Sequence, residues 1–100
     1  MLNETAYHID EETISCLGLH PSTRLIGPQH TTTARVYEFS MLENVFVMES
    51  DLYGNPMPEG SCFLASQGRH GLMGRTLHVE KLRNCSAEDI QKMVQSILEG

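Results

Sequence analysis

"SQGRHGLMGRT", residues 66–76, is the stretch whose reading decides the fold. Glycine stands at 68, 71 and 74, with Arg69, His70 and Arg75 among them. Glycine is a usual turn residue, so the spacing predicts a connection over 68–74 between two strands. On its far side "RTLHVEKL" (75–82) alternates, with Leu77 and Val79 set against Thr76, His78 and Glu80. That is the pattern of a half-buried strand with one wet face. On its near side "SCFLASQ" (61–67) is a short apolar strand carrying Phe63 and Leu64.

Further upstream, "ARVYEFSM" (34–41) and "NVFVMESDL" (44–52) are rich in β-branched and aromatic residues and predict two more strands. "YGNPMPEG" (53–60) is a turn-rich connection. Downstream, "CSAEDIQKMVQSILEG" places Ile90, Met93, Val94, Ile97 and Leu98 on one helical stripe. Ser86 suits its N-cap, Asp89 completes a capping-box-like start, and Gly100 suits its end, so a helix is predicted over 87–98. "DEETISCLG" (10–18) predicts a short helix capped by Asp10, ended by Gly18, with Ile14 and Leu17 turned inward. "LHPSTRLIGPQHTTT" reads as loop with a short extended piece at Arg24–Ile26, because Pro21, Gly27 and Pro28 interrupt it. The expectation is one α+β domain over 1–100: a four-stranded antiparallel meander, a C-terminal helix on one face and a short N-terminal helix.

Composition sets the class. The chain is 40% hydrophobic and 20% charged, which is globular. It has no apolar run long enough for a membrane helix, and its first ten residues carry Glu4 and Asp10 but no base, unlike a secretory signal. A cytoplasmic protein with reduced Cys16, Cys62 and Cys85 is expected. On that reading the matches to the glycosylation pattern at Asn3 and Asn84 carry no meaning. The net charge of −6 argues against generic binding to nucleic acid or anionic membrane. The charge is uneven: residues 61–85 hold Arg69, Arg75, Lys81 and Arg83 against Glu80.

The basic excess coincides with the glycines, which raises one chemical reading. Glycine lets backbone N–H groups form a concave anion nest, and Arg69, His70 and Arg75 would add donors around Gly68 and Gly71. The spacing lacks both the dinucleotide fingerprint and the Lys-Ser/Thr of a P-loop. "GRHG" (68–71) resembles the Gly-x-x-Gly loop of KH domains, but such loops join helices and "TLHVEKL" has no helical period. Leu72 and Met73 point to a different use, since apolar residues at a loop tip pack on something, a partner included.

Other chemistry has weaker support. Cys16 and His20 have metal-compatible spacing but no second pair, so no metal or cofactor is expected. Cys62 and His78 would form a nucleophile–base pair only if they faced the same way, and nothing orients the base. The leading expectation is therefore a non-enzymatic binding or regulatory protein acting through protein contact, as a homodimer. Tyr37 and Phe39 on a sheet face, with Met57, Leu72 and Met73 in loops, are its candidate contact residues. The alternative is a binder of phosphate-bearing ligands using Gly68, Arg69, His70, Gly71 and Arg75. The third is a small enzyme using His70, His78 or Cys62.

Overall fold

The computed structural model describes residues 9–69 and 71–99. The elements are α1 (Glu11–Leu17), β1 (Leu19–Ile26), β2 (Thr32–Phe39), β3 (Val45–Met48), β4 (Ser61–Gly68), β5 (Gly71–His78), α2 (Val79–Arg83) and α3 (Ala87–Glu99). The strands form one five-stranded sheet in chain order, each antiparallel to the next. The α+β meander with a short first helix and a packed last helix is as expected, but the sheet has five strands, not four. The expectations placed on His70, on Gly100 as a helix stop and on Asn3 lie outside the described residues.

Three segments depart from the sequence reading. The stretch read as loop around Arg24–Ile26 is the strand β1, paired with β2 from Leu19↔Phe39 to Ile26↔Thr32. Pro21 does not break it because β1 is an edge strand. Ser40 N–H donates to the Gly18 carbonyl at 3.0 Å, so even-numbered residues of β1 address β2 and odd-numbered ones, Pro21 included, point outward. A missing donor costs nothing there. The predicted glycine loop is also strand: only residues 69 and 70 separate β4 from β5, and Gly68 pairs with Gly71. Finally, the strand predicted over 75–82 ends at His78, and Val79–Arg83 turns into α2, burying Val79 and Leu82 three apart on one helical face.

The sheet is buried on both faces. Beneath the helices lie Leu19, Tyr37, Phe39, Val45, Val47, Cys62, Leu64 and Leu77, packed with Ile9, Val79, Leu82, Ile90 and Val94. The opposite face holds a second cluster of Ile26, Ala34, Val36, Phe46, Met48 and Ala65, with Leu52, Phe63 and Leu72 at its margin. Among the described residues no helix covers this second cluster, yet Phe46 is 0% exposed. Its lid is polar. Arg24 lies with its guanidinium carbon 4.5 Å from the Phe46 ring centre and donates to both Glu38 carboxylate oxygens, at 3.1 and 3.0 Å. The fork fixes the guanidinium plane over the ring, and the pair holds the Glu38 carboxyl below its ordinary pKa.

The helices are placed by their ends. In α1, Asp10 accepts from the Thr13 N–H at 2.8 Å, and Gly18 closes the helix in the left-handed region at φ 64°. Arg83, at the end of α2, donates to Thr13 Oγ1 at 3.2 Å and pairs with Asp10, joining the first and second helices. In α3, Ser86 N–H donates to Asp89 and Asp89 N–H donates to Ser86 Oγ, completing the capping box. Hydrogen bonds from Thr13, reinforced by Arg83, hold the Asp10 carboxyl at about 2, below its ordinary 3.8. A depressed carboxylate contributes stability that is complete above its unfolded value and is lost as pH falls through the folded one. Stability should therefore drop between about pH 4 and about pH 2, and Asp10→Asn should flatten this part of the curve in urea titrations across pH. Glu38 and Asp89, also lowered, act in the same direction and should leave the variant with a residual slope.

Candidate functional site

The free edge of β5 is the feature from which a site can be built. Along a strand, one residue's N–H and C=O point the same way, and the next residue's point the opposite way. Gln67 N–H donates to the Asn44 carbonyl at 3.0 Å, on the β3 side. Alternation then sends Cys62, Leu64, Ser66 and Gly68 towards β5, where their partners are Leu77, Arg75, Met73 and Gly71. Leu72, Gly74 and Thr76 are left with backbone groups directed away from the sheet. Among the described residues no other segment pairs with that edge.

Side chains flank the edge on both sides. Met73 and Arg75 lie on the helix side, where with Gly74, Ser96 and Ile97 they line an open groove of about 610 Å³. Leu72 lies on the opposite side, where with Gly71, Leu52, Tyr53, Pro28, His30 and Gly27 it lines a second hollow of about 250 Å³. Tyr53, 69% exposed, stands at that hollow. It is held by the 51–55 turn, in which Asp51 accepts from the N–H groups of Tyr53 and Asn55 at 2.8 and 2.9 Å. Partial desolvation pushes the Asp51 carboxyl up, but these bonds outweigh it and hold it below its ordinary value.

Two of the three glycines, Gly68 and Gly74, stand where a Cβ would crowd a neighbour. Gly71 alone of the three has a positive φ, 111°. A Cβ at Gly68 would lie 3.1 Å from Leu98, so this glycine lets α3 approach the hairpin end. A Cβ at Gly74 would fall 2.4 Å from both the Phe63 ring and the Leu64 carbonyl oxygen. The Phe63 ring, diagonal to Gly74 on the same face, thus occupies the space that a side chain would take. Arg69 is exposed at the turn, and Arg75 is four positions beyond Gly71, roughly 13 Å along the strand. Neither has an ion-pair partner among the described residues.

Other expected site residues lie elsewhere. Tyr37 and Phe39, expected on an exposed sheet face, are 6% and 5% exposed and form core beneath the helices. Met57, expected in a contact loop, is buried, its N–H donating to the Glu49 carbonyl. Cys62 pairs with Leu77 beneath the helices, whereas His78 pairs with Ser61 and belongs to the opposite face, so the two are not brought together. Burial, aided by the negative field of Glu49, pushes the Cys62 thiol up to about 12, far from a thiolate nucleophile. No group of three metal-capable side chains occurs among the described residues. A further cavity of about 460 Å³ between α2 and α3 is lined by Lys81, Asn84, Cys85, Asp89, Lys92 and Met93. Its Cys85 thiol is raised by burial and by Asp89, which opposes reactivity.

No protein-family model, curated protein or solved structure matches this chain.

The packing at Gly74 gives a direct test. Gly74→Ala must displace the Phe63 ring or the β4–β5 backbone and should cost about 1–3 kcal/mol in denaturant unfolding. Phe63→Leu in the same chain should recover part of that loss.

Proposed function

We propose that this protein is a non-enzymatic binding module that engages a partner chain by adding its strand to the open edge of β5. One observation carries this reading: the outward backbone groups of Leu72, Gly74 and Thr76 form a ready ladder between two side-chain hollows. In strand addition the backbone ladder supplies affinity, and hollows for alternate side chains supply selectivity. Of the five residues expected to make contacts, Leu72 and Met73 fall one on each side of that ladder. Gly71 leaves open space at one end of the edge. β1 offers no equal surface, since Pro21 interrupts its outward donors. Self-association as a homodimer would use the same edge, because the aromatic face first considered for it is covered by helices.

The test is selection of extended peptides by display on the wild-type protein, with counter-selection on Thr76→Pro. Proline at 76 removes an outward donor without taking a bond from the β4 ladder, so the melting transition should stay close to wild type. Selected peptides should lose at least tenfold in affinity on Thr76→Pro, about 1.4 kcal/mol. On wild type they should slow amide exchange at Leu72, Gly74 and Thr76. Equal binding to both proteins, unchanged exchange at those amides, or failure to select any peptide would overturn the reading.

A further inference from the structure

Resting on the reading of β5 as a strand acceptor, we infer that its occupant is an extended acidic peptide, with a carboxylate facing Arg75 and an apolar side chain two residues later facing Met73. Charge supplies the first part. The chain carries −6 overall, yet the free edge carries Arg75 between the outward-directed Gly74 and Thr76, and Arg69 at the adjoining turn. Both are exposed and have no ion-pair partner among the described residues, whereas Arg24 and Arg83 are each committed to a carboxylate. An isolated guanidinium beside an unpaired backbone ladder is a bidentate receptor for Asp or Glu on an incoming strand.

Strand geometry supplies the second part. Residues directly opposite one another in an antiparallel pair point to the same face. A residue set opposite Arg75 therefore projects to the helix side. The residue two positions further along the incoming strand projects to the same side opposite Met73, into the groove that Ile97 completes. The intervening residue projects to the opposite face, towards the Phe63 ring that covers Gly74. The recognition pattern is acidic, any, apolar, read along an antiparallel occupant. A second copy of β5 is a poorer occupant. Antiparallel pairing about a two-fold axis would put both Arg75 side chains on one face of the joint sheet, with no carboxylate in Gly71–His78 to answer them.

The experiment uses fluorescein-labelled peptides of alternating Thr and Val, carrying Glu, Gln or Lys opposite Arg75 and Val or Thr opposite Met73. Binding to the full chain is read by anisotropy at low and high salt, with sedimentation of the protein alone alongside. The Glu–Val peptide should bind at least tenfold tighter than the Lys–Val peptide, and this preference should shrink at high salt. Arg75→Glu should reverse it, and Thr76→Pro should abolish binding of all forms. Equal binding of Glu and Lys peptides, with sensitivity to Thr76→Pro retained, would overturn the acidic occupant and leave the strand-acceptor reading standing. A dimer that dissociates on Thr76→Pro, with no peptide bound, would replace the acidic occupant by a second copy. Binding indifferent to Thr76→Pro would overturn both readings.

Discussion

The ladder between β4 and β5 fixes the sidedness of everything after residue 60. Once Gly68 pairs with Gly71, the two-residue period assigns each side chain of β4 and of β5 to one face or the other. Cys62, Leu64 and Leu77 go beneath the helices, while Phe63, Ala65 and Leu72 go to the opposite face. A slip of β5 by one residue would exchange the faces of Leu72 and Leu77, while β4 is held by its pairing with β3. It would also move the Phe63 ring off the only position in β5's interior that lacks a side chain. The ring on Gly74 therefore locks register as well as filling space.

The second face shows how a small chain closes a sheet without a second layer of helices. Its centre is apolar, with Val36, Phe46 and Met48 all at 0% exposure. Its cover is assembled from parts that individually look like surface: a bidentate ion pair, the turn around Asp51 and the margin residues Leu52, Phe63 and Leu72. Arg24 contributes through its position over a ring, a role that needs its planar fork and that a lysine would not reproduce. The Arg24–Glu38 pair is partly screened by water, so its main effect is to hold the aliphatic and planar parts of Arg24 in place.

Much of this architecture was legible in the chain. α3 announced itself through its apolar stripe and Ser86–Asp89 box, and α1 through Asp10 and Gly18, because caps and helical periods are local signals. β1 was illegible because proline and exposed polar residues suit an edge strand as well as a loop, and only its pairing with β2 distinguishes them. The beginning of β5 was illegible for a related reason. Glycine has low strand preference, and the ring that compensates it comes from another strand. Of the candidate residues, Leu72, Met73 and Arg75 could be singled out from sequence, but the edge that unites them could not. Backbone groups carry no sequence signature, and strand order decides which remain unpaired. Tyr37 and Phe39 misled because alternation tells which residues share a face and not which face the helices cover.

The two borders of the sheet are unequal, and this bears on how many molecules can join. β5 offers a continuous row of donors and acceptors, whereas the outward row of β1 is broken at Pro21. Head-to-tail stacking requires two good borders on every molecule, one to give and one to receive. This chain has one. Two copies pairing through β5 would each use up the one continuous border found among the described residues, so such a pair would be closed and would leave no end for a filament.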